Sequence, residues 1–567
     1  MTKKLLSLFA GLSIVFSSLA IPSAAAQLKR DIRIAVASDL HYSVPAEKLE
    51  GDIDDPIYWY ANRRGAMVNE SGLIIDEFLR QCAGNECDYV LISGDITDNG
   101  RNNARQHFDI AQKFAAFEQT TGKQVYVIDG NHDLGYGSET DVGDFKKIYA
   151  SFGYDEALAV DDDSCSYAAD LGEKYRLIAL DSCDHSVSTA DGLNAARTAW
   201  LREQAKQAQK DGKYVIVMMH HNLLDHMPAQ SVISRNFIVR NHLFKAELFA
   251  GLGIKTVFTG HEHCSDVSAY TGSLGNKIYD FATTSLTMYP LQYRMVSFTD
   301  EKIIYGVRTI DSIDTATLSR SVDGYSPAQL ALMDEGLNDY ALGFFKAGIR
   351  YRLALSLSME KIGISEGEAF YDLVNSAAGG LTDILAMPLY GEQSVASLAK
   401  EYNIEIPESS YENGWDLVTD LAAAHYAGGE DYGLDSVEVK ILLRTVALIL
   451  RDDLAGVADE VFLKAANALL SQYGTDGIAA SLVKLGAEVF GPVTPGEYFI
   501  LAVVSPLLYE FAFDSDGVDD NAGELTGYAP ETPGGAAANI FEKIQGIAED
   551  ILFYLTLILK YMLLPVA

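Results

Sequence analysis

The sequence predicts a layered α/β domain followed by a mainly α-helical region. Three observations carry that prediction. Short apolar runs alternate with helical patterns from Asp31 to about Ile310. Most of those runs lead straight into Gly, Asp or His. Beyond Asp311 the apolar spacing changes to a helical period. Buried strands that feed polar loops, with helices between them, are the pattern of packed α/β layers.

Taken in order, the expected strands are Ile32–Ser38, Tyr89–Ser93, Val125–Ile128, Leu177–Leu180, Tyr214–Met219 and Thr256–Thr259. Each is rich in β-branched, aromatic or other large apolar residues, which suit a pleated, buried surface. Asn194–Gln209 reads as one of the intervening helices, and Tyr167–Leu180 as a hairpin. Lys277–Phe281, Tyr293–Phe298 and Ile303–Arg308 follow one another too closely for helices and read as antiparallel strands. Ser326-Pro327 then pairs a capping side chain with proline in the first helical turn. Leu330, Met333, Leu337, Tyr340 and Phe344 continue at 3,4,3,4 spacing, a stripe expected to be core. A further helix is expected from Ser436 through Leu450. These readings divide the chain into 27–310, a linker at 311–325 and a helical domain at 326–513, and predict that the first part folds without the rest.

Both ends read differently. Lys3 and Lys4 precede the apolar run Leu5 to Ile21, and Ala24-Ala25-Ala26 supplies small residues before Gln27. That is the layout of a secretory signal peptide over 1–26, so the expectation is a secreted or extracytoplasmic protein. Residues 514–539 form an acidic stretch rich in Gly and Pro, expected to be a solvated loop. Its Asp514-Ser515-Asp516-Gly517 start misses the calcium-loop spacing, because glycine falls at loop position 4. Ile540, Ile544, Ile547, Ile551, Leu555 and Ile558 share one helical face. An apolar C-terminal helix over 540–567 follows, too short to span a bilayer. It is expected to dock on the protein or to make a peripheral membrane or surface contact.

Composition bounds the function. The chain has 567 residues, with 43 Lys+Arg against 79 Asp+Glu and a formal charge of −36. Charged residues at 22% and hydrophobic ones at 48% are ordinary for folded domains. So acidic a chain would repel phosphate backbones, which argues against a nucleic-acid scaffold. The five cysteines, Cys82, Cys87, Cys165, Cys183 and Cys264, contain no CxxC pair, which excludes a zinc ribbon. Export permits disulfides. At least one is expected, with Cys82–Cys87 and Cys165–Cys183 the available pairings.

Histidine placement is the sharpest functional signal. Of 11 histidines, ten lie at or before His263 and only His425 lies in the helical region. Six of the ten fall in four clusters at expected strand ends: Asp39-Leu40-His41, Gly130-Asn131-His132-Asp133, His220-His221 and Gly260-His261-Glu262-His263. Gly94-Asp95-Ile96-Thr97-Asp98 stands between the first two. Strand ends on one edge of a layered sheet converge in space. Asp, Asn and His supply mixed oxygen and nitrogen donors suited to Mn, Fe or Zn. Several imidazoles with two or more carboxylates can hold two divalent ions, one carboxylate bridging them.

This ordered series of motifs resembles the calcineurin-like metallophosphoesterases over about residues 31–310. The resemblance implies a β-sandwich flanked by helices around a dimetal centre. Position by position, it implies that Asp39, His41, Asp95 and His263 hold one ion. Asp95 would bridge to a second ion held also by Asn131, His220 and His261. His132 would be the site acid or transition-state stabiliser, oriented by Asp98, and His221 would support the site or touch substrate. The implied activity is hydrolysis of phosphate mono- or diesters by a metal-activated hydroxide. In that chemistry His41 would need an acceptor on its second ring nitrogen to fix its tautomer.

The sequence departs from the family's protein Ser/Thr phosphatases. Asp98 is followed by Asn99-Gly100 rather than Arg-Gly, and the third motif ends in Asp133 rather than Glu. The phosphate-clamping arginine is missing at that position; Arg101 is one candidate substitute and a surface arginine is the other reading. His107 is open between a pocket-lining and a helix-surface position. The pattern is closer to the branch that includes cyclic-nucleotide phosphodiesterases and secreted phosphoesterases. The competing expectation is a surface or partner-binding protein that keeps the scaffold with little catalysis. Either way, oligomeric state leaves no mark in the sequence.

Overall fold

The computed structural model describes residues 32–44, 65–186, 191–227, 230–233, 235–299, 301–317, 325–356, 382–433, 436–448, 512, 514 and 518–528. The expected signal peptide and C-terminal helix lie outside these residues. Among the described residues no helix is long and apolar enough to cross a membrane.

Two sheets face each other. The strands are β1 Ile32–Ala37, β2 Tyr89–Ser93, β3 Gln124–Ile128, β4 Ala159–Val160, β5 Tyr167–Leu171, β6 Tyr175–Ala179 and β7 Tyr214–Met218. They continue as β8 Thr256–Thr259, β9 Asp266–Thr271, β10 Lys277–Ala282, β11 Gln292–Phe298, β12 Lys302–Thr309 and β13 Ala522–Thr526. One sheet has the order β13-β12-β11-β1-β2-β3, the other β4-β5-β6-β7-β8-β10-β9. β1, β2 and β3 run parallel, as do β6, β7 and β8. Parallel strands need crossovers, here the helices Ser71–Gly84, Ala104–Thr121, Ala195–Lys210 and His242–Gly251. The helix at 195–210 begins where Asn194 caps it, its side chain accepting the N–H groups of Ala196 and Arg197. The expected hairpin is present as the antiparallel pair β5–β6.

Burial follows from this layering. Ile34, Val36, Leu91, Tyr126, Leu177, Ile216, Phe258 and Phe281 belong to one core cluster. Leu201, Ala205, Leu248 and Phe249 form another with Ile178, Val217 and Val257, on the helix-covered side of the second sheet. Strands covered on both faces read as nearly continuous apolar runs, and their signal in the sequence has that origin.

The C-terminal region is helical where described: Pro327–Glu335, Leu337–Ser356, Val395–Glu401, Gly414–Tyr426 and residues 437–448. Ser326 opens the first of these with a full capping box. The stripe Leu330 to Phe344 is interrupted at Gly336, but Met333, Leu337, Tyr340 and Phe344 are buried in the main core.

Three expectations need correction. Residues 522–526, expected in a solvated loop, form β13 and pair antiparallel with β12. The two parts of the chain also share structure. Buried Arg294 donates to the Asp520 carbonyl at 2.5 Å, Asp520 accepts the Val267 N–H at 2.9 Å, and Lys255 donates to the Gly527 carbonyl at 2.7 Å. Tyr528 stacks on Tyr214 with ring centroids 4.8 Å apart. A division at 310 cuts through this sheet, because strand pairing over more than 200 residues leaves no local sequence signal. Finally, all five cysteines are buried free thiols, and no disulfide is present.

Candidate metal centre

The two parallel strand sets end on the same edge, and the loops leaving β1, β2, β3, β7 and β8 meet there. Asp39 and His41 follow β1, Asp95 and Asp98 follow β2, Asn131 and His132 follow β3, His220 follows β7, and His261 and His263 follow β8. Backbone bonds lock the first two loops together: Asp39 N–H donates to the Gly94 carbonyl, His41 N–H to Asp95, and Tyr42 N–H to Ile96.

The local conformation is costly. Asp39, His41, Asp95, His261 and His263 all have positive φ, between 41° and 68°. Non-glycine residues rarely adopt this region, and such strain gathers where side chains must be aimed at a site. Glycine is required where backbone comes closest. A Cβ at position 94 would stand 2.5 Å from His220 Nδ1, and one at 130 would stand 2.2 Å from the Asp95 backbone nitrogen.

The side chains form two separate donor groups, Asp39/His41/His263 and Asp95/His220/His261, and a third, His41/Asp98/His132, that overlaps the first. His263 Nε2 lies 3.1 Å from Asp39 Oδ1 and 3.4 Å from His41 Nε2. His220 Nε2 lies 3.1 Å from Asn131 Oδ1 and 3.4 Å from Asp95 Oδ2. Asp95 Oδ2 is also 3.9 Å from both His41 Nε2 and His132 Nε2. Asp95 therefore stands between the groups.

The outer contacts fix each ligand candidate. His220 Nδ1 donates to the Ser93 carbonyl at 3.1 Å, which turns Nε2 inward. Asp39 Oδ2 accepts the Ser38 hydroxyl at 2.6 Å and the His261 N–H at 3.0 Å. Asp95 Oδ1 accepts the His132 N–H at 2.8 Å. Asp133, buried below, accepts N–H groups from Ile96, Thr97 and Gly130 and so fastens the second motif loop to the third.

The electrostatics favour a cation. Burial raises the cost of charge on Asp95, but His220 and His132 outweigh it and hold the carboxyl well below its usual range. Burial likewise pulls His220 down, yet Asp95 lifts it to about 10. Burial and the neighbouring His220 push His221 down to about 3, and also lower His261. His261 is thus a neutral imidazole, and among the described residues its buried Nε2 has no hydrogen-bond partner. A buried nitrogen lone pair left unpaired, beside carboxylates that draw a proton onto His220, suits a divalent ion. The donor set fits the dinuclear site that the resemblance implies.

Other site residues occupy places the sequence did not indicate. His132 Nδ1 donates to the backbone carbonyl of Asp98 at 2.7 Å, so the Asp98 main chain orients it. The Asp98 carboxylate faces His41 Nδ1 at 3.6 Å, an electrostatic contact beyond hydrogen-bond range. Of the two readings of His221, its surroundings match the supporting one. It is fully buried, its Nδ1 is 3.0 Å from the Ser182 hydroxyl, and its ring packs against His261 at 4.7 Å. Arg101 Nε donates to the Leu134 carbonyl at 3.1 Å and braces the third motif loop. His107 neither lines a pocket nor lies on a helix surface. It is buried, donates through Nε2 to the Asp133 carbonyl at 2.7 Å, and lies 2.9 Å from the Tyr149 hydroxyl. Sequence reading missed Ser38, Ser93, Ser182 and Phe237, whose ring stacks on His261 at 4.3 Å. Lone serines and one phenylalanine carry no pattern that could have marked them.

The family model for the calcineurin-like phosphoesterases matches residues 32–265. No curated protein matches the chain. Similar solved structures include a dimetal phosphatase from Danio rerio, 14% identical, covering 49% of this chain and 96% of that one at a TM-score of 0.35. Another is a purple acid phosphatase from yellow lupin (Lupinus luteus), 12% identical, covering 50% of this chain and 52% of that one at a TM-score of 0.34. The family match spans all five motif loops, from Asp39 to His263, and residues 32–265 are a calcineurin-like phosphoesterase domain.

Proposed function

We propose that the chain is an exported phosphoesterase that hydrolyses phosphate mono- or diesters with two divalent metal ions. The observation that carries this reading is the position of Asp95, whose Oδ2 lies between the His41 and His220 sides of the site at 3.9 and 3.4 Å. Asp39, His41, Asp95 and His263 would hold one ion, and Asp95, Asn131, His220 and His261 the other. When bound, such a pair supplies charge neutralisation for the phosphate and a nucleophile available near neutral pH.

The protein groups then divide the remaining work. The Ser93 carbonyl sets the tautomer of His220, and the Asp98 carboxylate lies beside His41 Nδ1. His132 is the more open of the imidazoles near Asp95, with its side chain 31% exposed. Its Nδ1 is engaged by the Asp98 carbonyl, so Nε2 faces the reaction side. We assign it the proton that a departing alkoxide needs, a task suited to an imidazole. The export reading rests on Lys3, Lys4 and the apolar run that follows.

Hydrolysis of p-nitrophenyl phosphate and bis-p-nitrophenyl phosphate tests the proposal. Activity lost to chelator and restored by Mn²⁺ or Zn²⁺ is expected, and the ratio of the two rates gives the mono- or diester preference. Full activity in metal-stripped protein would contradict the reading.

A further inference from the structure

We infer that the domain holds a third cation, outside the dinuclear centre, on Asp129, Cys165, Asp181 and His185. All four are buried, and one donor atom from each lies within 4.8 Å of the others. Asp129 follows β3 in one sheet, Cys165 precedes β5 in the other, and Asp181 and His185 follow β6. The cluster therefore sits where the two sheets meet, beneath the loop that carries Asn131 and His132.

An ordinary ion-pair network accounts for only part of this cluster. Asp181 is satisfied: it accepts the Cys165 and Cys183 N–H groups at 3.0 and 2.9 Å, Arg197 at 3.0 Å and His185 Nε2 at 2.8 Å. Asp129 is not. Its side chain is fully buried, and among the described residues neither oxygen has a hydrogen-bond partner. The cationic candidate His185 Nε2 stops 3.6 Å from Asp129 Oδ2, beyond hydrogen-bond range. A buried carboxylate with both oxygens unbonded is expensive, and metal coordination is one of the arrangements that offsets the cost.

The donor set selects the ion. A thiolate, an imidazole and two carboxylates make a four-coordinate site of mixed softness, which favours zinc-class ions over the hard oxygen-preferring ones. Charge also balances. Two carboxylates and a thiolate carry three negative charges, matched by a divalent ion and the Arg197 guanidinium. Binding displaces the Cys165 thiol proton and the proton on the His185 nitrogen that turns to the metal, and both go to solvent. The ion would pin the third motif loop from below. Asp129 is two residues before Asn131, and the His185 carbonyl accepts the Tyr136 N–H at 3.0 Å just beyond that loop.

Cobalt substitution of the full chain tests this directly, because none of the dinuclear donors is sulfur. Cobalt-loaded protein is expected to show a near-ultraviolet thiolate-to-cobalt charge-transfer band and one metal equivalent beyond those of the dinuclear centre. Cys165→Ser should remove the band and that one equivalent while the others remain. Asp129→Asn, which keeps the thiol, should lose the same equivalent. A folded, cobalt-saturated wild type without the band, or a band unchanged in Cys165→Ser, overturns the inference. An empty dinuclear centre would instead leave the band and remove the other equivalents.

Discussion

His132 and His226 are both histidines beside carboxylates, yet their surroundings give them opposite roles. His132 is partly open, with Nδ1 held by a main-chain carbonyl. His132→Ala should leave metal content near wild type and lower kcat by ~10²–10⁴-fold for a poor alkoxide leaving group. The loss should shrink for p-nitrophenolate, which departs with little help from an acid. Equal losses with both leaving groups, in a folded variant, would remove the acid role. His226 is buried between Asp266, which its Nδ1 meets at short range, and Asp280 at 3.0 Å from Nε2. Burial opposes its charge, but the two carboxylates lift it to about 10. An unfolded histidine titrates near ~6.5. The pair of values gives a stabilisation that is complete below about pH 6.5 and disappears as pH rises through about 10. His226→Gln should therefore cost most stability near pH 6, with the gap to wild type closing toward pH 10. Parallel stability curves for the two proteins would exclude this linkage. Because Asp280 also accepts the Leu223 and Leu224 N–H groups, the cluster holds the loop that follows His220 and His221.

The elements differ in how legible they were. β1, β2, β3, β7 and β8 could be read because parallel, doubly covered strands are written as unbroken apolar runs, and their C-terminal ends carry the chemistry. The ligand candidates could be read for the same reason, since each sits within a few residues of a strand end. What stayed hidden depends on distant partners. β13 has the composition of a loop and becomes a strand only because β12 offers it an edge. Asp98 names an acid near His132, but nothing in the spacing says that its carbonyl rather than its carboxylate would face that ring. His107 lies in an amphipathic helix whose buried side is fixed by Tyr149 and Asp133. The same long-range pairing makes a prediction. A chain ended between residues 311 and 325 loses β13, Tyr528 and the buried Phe344 and Leu337. It should be insoluble or melt well below the full chain, since an uncovered β12 edge invites aggregation. A soluble truncation with an unchanged melting temperature would show that the first half stands alone.

Across the whole molecule, the two-sheet fold serves to bring five loops to one edge, with strain accepted at five of the residues found there. The helical region is attached through shared core, and its Tyr426 carbonyl accepts the Ser265 N–H at 3.0 Å, two residues beyond His263. The account depends on two ions flanking one carboxylate. Anomalous diffraction from crystals of the full chain grown with Mn²⁺ measures that directly. Two peaks ~3.5–4 Å apart, one on each side of the Asp95 carboxylate, are expected. A single peak there, or none in crystals whose protein hydrolyses phosphate esters, would contradict it.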